Sequence, residues 1–357
     1  MTQSLAQASA ATSAARMEEE IELQDSELVS VRISSFFSPK KVSCDLHLRL
    51  GANRYLRVFR AGEPFEEAEL KAYESDRGVR NVYFSKEHRS SYVNSSVALL
   101  QKITLLPQVP LRTKFGLAQI ISELYMQELF ACDDDLRSTF VEKGKLISSV
   151  VAAWVDVEPG LETFLLKFYE TDDTIESIAF LTGLFAATAS RRFPWKSRRT
   201  TETLLFASYL CDIGLFALKP EIYRTKPRKL KREQKRDYQK HPEISYLLLE
   251  TCASSVLSDN ILLIVRQHHE YCDGSGFPQA LQGEQILLLA KLMTLSGDLI
   301  RTASDSLLPP AEAVKVLFRY SGDRMVEEDP EVMVKYDNEI LKPFFLIFGK
   351  NLAEAKK

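Results

Sequence analysis

Two histidines stand side by side at His268 and His269, followed by Glu270-Tyr271-Cys272-Asp273-Gly274-Ser275-Gly276-Phe277-Pro278. The chain has only 5 histidines, so a pair of them next to two carboxylates points first to metal ligation. Imidazole nitrogen and carboxylate oxygen are donors that Zn, Mn and Fe all accept. Two more candidate ligands lie upstream. Asp212 falls within Leu204–Phe216, which reads as an otherwise apolar helix, where a carboxylate is costly unless paired or metal-bound. His241 precedes Pro242 at the end of a basic run. Three imidazoles and a carboxylate suit an ion that polarises a phosphate oxygen. The same four residues equally suit a buried Asp–His hydrogen-bond pair with no ion, and spacing alone leaves both open.

The elements that must position these groups are helices. Ser258–His269 carries Ile261, Ile264, Val265 and His268 on one face, which turns one imidazole inward. His269 lies about 100° further round, and Gly274 and Gly276 allow the loop to turn it back. Asp172–Ala189, Thr200–Ile213, Lys229–Gln239, Pro242–Cys252, Gly283–Ala303, Ala311–Tyr320 and Pro330–Phe348 supply the rest. The fold class is therefore mainly α, with an all-α domain over 155–357. Ahead of it, 1–27 reads as a disordered tail, 28–93 as a small α+β domain and 94–154 as a helical connector. In the α+β part, Val29–Ile33 alternates, and Cys44–Leu50 with Tyr55–Phe59 reads as a hairpin about Gly51-Ala52-Asn53. A helix over Glu66–Ser75 and a strand over Val79–Ser85 complete it. His47 and His88 have no ligand partner at usable spacing and read as surface residues.

Bulk properties narrow the class. At 357 residues, 45% hydrophobic and 27% charged, the chain is an ordinary globular one, long enough for two domains. A net charge of −3 gives no global basic field for nucleic acid. The 5 cysteines are scattered with no CxxC spacing, as expected of reduced thiols in a cytoplasm. Neither a signal-peptide pattern nor a run long enough for a membrane span is present; Leu146–Val155 is the longest mostly apolar stretch. The basic run Arg224–Lys240 interleaves Glu233 and Asp237 at salt-bridge spacing and reads as a solvated helix face. Within it, Lys226 is the candidate contact for an anionic ligand.

The order of these motifs resembles the HD-GYP domain, a helical metal-dependent phosphohydrolase family that degrades cyclic-di-GMP. Its HHExxDGxGYP pattern matches His268 to Pro278, through Glu270, Asp273, Gly274, Gly276 and Pro278, with Phe277 in place of its tyrosine. His241-Pro242 falls at the family's HP motif, Leu204–Gly214 resembles the segment carrying HDIGK, and Gly283–Ile286 and Ala290–Leu292 resemble the GxEI and ARI elements. The resemblance covers roughly residues 155 to 350. The front domain is more distantly similar to α+β domains that precede some HD-GYP domains.

The departures fall together. The family's HD dyad is Cys211-Asp212 here, its following lysine is Leu215, and its upstream histidine is Glu176 or Ser177. Its late aspartate aligns with Gly297, so Asp298 serves only with a one-residue shift, and no RPYR-like segment occurs in Ile300–Pro310. The resemblance implies one complete ligand set, Asp212, His241, His268 and His269, for one divalent ion (Fe, Mn or Zn). It leaves a second site to be rebuilt only from Cys211, Glu176 and Asp298. The implied function is a degenerate HD-GYP protein of bacterial cyclic-di-GMP signalling, inactive or impaired, that works by binding the nucleotide or a partner such as a diguanylate cyclase. Two alternatives remain. One is an active metal-dependent phosphodiesterase with an altered site and Asp212 as its catalytic residue. The other is a protein-interaction scaffold without nucleotide binding.

Overall fold

The computed structural model describes residues 19–33, 36, 41–131, 138–167, 174–318 and 335–348. They divide into two compact units, Met1–Leu124 and Tyr125–Lys357.

The first unit is built on a five-stranded antiparallel sheet: β1 (Glu19–Glu22), β2 (Leu28–Arg32), β3 (Leu46–Gly51), β4 (Arg54–Phe59) and β5 (Asn81–Ser85), in the order β1-β4-β3-β5-β2. Alternation decides which side is buried. Val29, Val31, Val58, Val82 and Phe84 are buried, and Phe36, Phe65 and Tyr92 close over them with ring centroids 5.3–5.5 Å apart. The β3–β4 hairpin turns through Asn53 at φ 56, a left-handed conformation that asparagine tolerates. Asp25 fastens this turn, accepting from the Asn53 amide at 3.0 Å and the Tyr55 hydroxyl at 2.7 Å. Helices α1 (Glu67–Arg77) and α2 (Arg89–Ile103) follow.

Two expectations fail here. The end of the expected tail is strand β1, an edge strand whose acidic side chains pair with β4: Glu20 with Arg54 at 2.6 Å and Glu19 with Arg57. Its composition is too polar to read as a strand, because the pairing partner lies far along the chain. His47 is not a surface residue either; it is 5% exposed, with Nδ1 3.3 Å from the Tyr83 carbonyl across the sheet. His88 is exposed as expected.

Helix α3 (Leu111–Phe130) contains the division between the units, and α4 (Ser138–Val157) packs on the second unit's helices. The part read as a connector is thus shared out between the two units. The second unit is all α: α5 (Leu161–Lys167), α6 (Ile175–Ser190), α7 (Arg198–Leu210), α8 (Arg232–Tyr238), α9 (His241–Ala253), α10 (Asp259–Gln267), α11 (Leu288–Ser306), α12 (Pro310–Leu317) and α13 (Asn338–Phe348). Its axis is α6, buried on every side from Ala179 to Ser190. A helix apolar all round must be enclosed, and α4, α7 and α11 enclose it. Gly183 lets α6 come close to α7, since a Cβ there would strike the Ser208 side chain. Thr174 caps the start of α6 and Ser197 that of α7, accepting from the Ser177 and Thr200 amides. The helix expected over Pro330–Phe348 begins at Asn338, and its first residues lie partly outside those described. Among the described residues no helix is long and apolar enough to cross a membrane.

Burial holds His47 below its ordinary value, against the opposing pull of the Tyr83 carbonyl and Asp45. Between that lowered value and about 6.5 the unfolded chain binds more protons at this position. The stabilisation from neutral His47 is therefore present above pH about 6.5 and declines as the pH falls toward the folded value. Opening free energies of β3 amides, measured by hydrogen exchange, should drop on acidification from neutral pH. His47→Gln should flatten that dependence; an unchanged slope would contradict the assignment.

Candidate metal centre

Helix ends, rather than helix interiors, bring the candidate ligands together. Helix α7 stops at Leu210, and Asp212 (φ −99, ψ 7) heads a short 3-10 turn over Ile213–Ala217. Asp212 is therefore not inside an apolar helix, as the sequence suggested; it sits where the chain leaves one. Gly214 sets that turn against the start of α9, since a Cβ there would lie 2.5 Å from the His241 carbonyl oxygen. Ser245 locks the contact, accepting from the Gly214 amide at 2.9 Å and donating to the Cys211 carbonyl at 2.7 Å. Helix α10 likewise ends at Gln267, so His268 and His269 both occupy the turn that follows.

Asp212, His241, His268 and His269 each offer one ligand atom, and these atoms lie within 4.8 Å of one another. All three imidazoles are buried. His241 Nδ1 lies 2.7 Å from the Tyr238 carbonyl, and His268 Nδ1 lies 2.7 Å from the Val265 carbonyl. Since a carbonyl only accepts, both Nδ1 atoms donate, and in the neutral rings both Nε2 atoms carry bare lone pairs. Those two Nε2 atoms are 3.2 Å apart, and Asp212 Oδ1 is 3.2 Å from one and 3.8 Å from the other. Three acceptors converge in a buried space and repel unless a cation is shared among them. His269 Nε2 is buried without a hydrogen-bond partner. The three converging acceptors, from Asp212, His241 and His268, thus fit a divalent ion of the Zn, Mn or Fe type, with His269 beside them.

Without a metal, a proton takes the cation's part. Burial opposes charge on His268, yet neighbouring Cys211 and Asp212 raise it to about 10. Burial likewise works against the Asp212 carboxylate, but hydrogen bonds from His241 and His268 hold it far below its usual range. Both shifts express the same demand for positive charge at one point.

The glycine-rich loop shapes this pocket and supplies no ligand of its own. Glu270 is buried, and its carboxylate accepts from the Gln279 amide at 2.7 Å and the Leu281 amide at 3.0 Å. Asp273 accepts from the Ser275 amide at 2.8 Å and hydroxyl at 2.7 Å. Gly274 takes φ 80, and a Cβ on Gly276 would lie 2.5 Å from Glu270 Cα, so both positions require glycine. The loop's return lays the Phe277 ring on His269, centroids 4.5 Å apart and 24° from parallel, while the Phe277–Pro278 peptide is cis.

The residues expected to rebuild a second metal site do not join the group, nor do they form another among the described residues. Cys211 stands beside His268. Glu176, in the first turn of α6, is raised by burial toward its neutral form. Asp298 is committed elsewhere: it accepts from the Tyr336 hydroxyl at 2.6 Å and the Tyr271 hydroxyl at 2.9 Å, with Lys335 Nζ at 3.7 Å. Lys226 lies 3.7 Å from Asp305 of α11, and Arg228 shares that carboxylate at 3.4 Å. Sequence reasoning missed Tyr238, whose carbonyl fixes the His241 tautomer, and Arg301, whose Nη2 donates to His269 Nδ1 at 3.2 Å. The signal for Arg301 was its place one helical turn after Gly297.

Residues 176–331 match the family model described as HD domain. Over 100 residues the chain is 33% identical to the cyclic di-GMP phosphodiesterase response regulator RpfG of Xanthomonas campestris pv. campestris, covering 28% of this chain and 26% of that protein. Over 99 residues it is 33% identical to the cyclic di-GMP phosphodiesterase of Vibrio cholerae serotype O1, covering 27% and 20%. The match thus spans about a quarter or less of these curated relatives. Among solved structures, Bd1817, a HDG"Y"P protein from Bdellovibrio bacteriovorus, superposes with a TM-score of 0.67 over 92% of this chain and 100% of that one. At 16% identity it establishes likeness of fold.

Glu270 bears two charge-assisted bonds that hold the loop closed. Glu270→Ala leaves both amides without their acceptor and should cost roughly 2–4 kcal/mol, read as a lower urea midpoint for the full chain. A midpoint within error of the native one would show that the loop closes by other means.

Proposed function

We propose, from the premise that the chain belongs through residues 176–331 to the HD domain family and has the HD-GYP type of fold, that it is a cyclic-di-GMP signalling protein. On this reading it holds one divalent ion within the Asp212–His241–His268–His269 group, and acts by binding the nucleotide or a partner protein rather than by efficient hydrolysis. Its curated relatives are cyclic di-GMP phosphodiesterases, which supports that nucleotide as the ligand. The observation that carries the reading is the single group of ligands: the described residues gather one set able to hold an ion.

An ion there supplies Lewis acidity toward a phosphate oxygen. The chain's own contributions are positional. Tyr238 and Val265 hold two imidazoles in the tautomer that presents Nε2, and Asp212 contributes the negative charge. Phe277 provides an aromatic face without the hydroxyl of the family's tyrosine. Leu215, where the family has its phosphate-holding lysine, is buried and cannot contact a charged phosphate. Phosphodiester cleavage in a two-metal site needs charge on both the entering and the leaving oxygen, and a single ion can serve one of them. Asp273 and Ser275, exposed at the loop tip, are open to a partner protein.

Full-length protein reconstituted with Mn, Fe or Zn should contain no more than one ion per chain by elemental analysis. It should bind cyclic-di-GMP in calorimetry and hydrolyse it no faster than its Asp212→Ala variant. Robust turnover that Asp212→Ala abolishes would overturn this reading in favour of an active phosphodiesterase. Absence of nucleotide binding would favour the scaffold.

A further inference from the structure

His241 and His268 are wired alike, and His269 is wired the opposite way. The first two place Nδ1 against backbone carbonyls, which leaves Nε2 bare for an ion. His269 places Nδ1 3.2 Å from Arg301 Nη2. A guanidinium has donors only and stays charged, so His269 Nδ1 must be the acceptor. A neutral imidazole carries one proton, which then sits on Nε2, the nitrogen buried without a partner. Whichever ring nitrogen faces the group, it is disabled. A protonated Nε2 cannot ligate, and the lone pair of Nδ1 is already engaged.

The placement of Arg301 is built into α11. One turn before it lies Gly297, and a Cβ at that position would lie 3.0 Å from Arg301 Nη2 and 3.3 Å from Nη1. Glycine thus leaves the space that the guanidinium occupies, and the side chains of larger residues would meet it. Asp298 Oδ1, 4.0 Å from Arg301 Nε, adds attraction from the same helix. The imidazole cannot easily swing away, because Phe277 is stacked on it.

We propose that Arg301 withholds His269 from the metal, so that the ion has three protein ligands, Asp212, His241 and His268, with a fixed guanidinium beside it as a second positive charge. This rests on the single-ion reading above. Three protein ligands leave an open coordination position, as in zinc sites that accept an exogenous ligand. Arg301 is a positioning residue in this scheme: it acts on the ion through His269.

The test is calorimetric titration of Zn2+ alone into metal-free full-length chain, with Co2+ absorption as a second readout of ligand number. In the native protein, His269→Ala should keep the affinity within about threefold, whereas His241→Ala should weaken it by about tenfold or more. Arg301→Gln should bind about tenfold more tightly and change the Co2+ spectrum, and adding His269→Ala should cancel both effects. Arg301→Lys, which keeps the charge, serves should the glutamine variant fold poorly, and should give an intermediate gain. If His269→Ala weakens the native protein as much as His241→Ala does, this proposal alone is overturned. If neither the native chain nor Arg301→Gln binds Zn2+, the single-ion reading falls with it.

Discussion

Two imidazole nitrogens bearing lone pairs, 3.2 Å apart and joined by a carboxylate oxygen at 3.2 Å, are unstable in a buried space unless positive charge stands with them. The rest of the second unit is arranged around that requirement. Its origin lies in unsatisfied carbonyls at helix ends. The last carbonyls of a helix have no partner within it. Tyr238 ends α8, and Val265 lies in the last turn of α10. Each receives the Nδ1 proton of a histidine three residues on, and each thereby turns a bare Nε2 inward. The polarity of the site is a consequence of where two helices stop.

Rigidity follows from close backbone approach. Gly214 brings the Asp212 turn against the His241 carbonyl, and Gly276 brings the loop's return against Glu270. Neither contact leaves room for a Cβ, and each is supported by hydrogen bonds at Ser245 or Glu270. The ligands are thus held by packing and backbone hydrogen bonding that do not depend on a second ion. Leu215 belongs to that support: it is buried, and its amide donates to the Asp212 carbonyl at 3.0 Å within the same turn.

Much of this was legible in the sequence. Period-2 alternation placed β2 to β5, and longer apolar periods placed the helices of the second unit, because burial imposes those patterns locally. The four residues of the candidate group were legible because histidine is rare here and a carboxylate among apolar residues is expensive. Strand β1 was hidden, since its Glu19 and Glu20 are matched by Arg57 and Arg54 far along the chain. Burial of His47 was hidden for the same reason: its partner is the Tyr83 carbonyl on another strand. The expected role of Asp298 as a ligand required a shift along α11, and a helix turns side chains by about 100° per residue. The shifted carboxylate meets Tyr271 and Tyr336 instead.

On the proposed reading, the same helical geometry would separate binding from catalysis. Gly297 and Arg301 lie one turn apart on α11, so removing a side chain at the first position admits the second into the space. What enters is a permanent cation with five donors and no vacant coordination position. It attracts an anionic phosphodiester as an ion would, because attraction depends on charge and distance. It offers no Lewis acidity, cannot activate a water as a metal does, and occupies the lone pair of the one histidine it touches. On the reading proposed above, a pocket with one ion and one fixed guanidinium would suit holding a phosphodiester, and would suit poorly the stabilising of charge on both the oxygen that attacks and the oxygen that leaves.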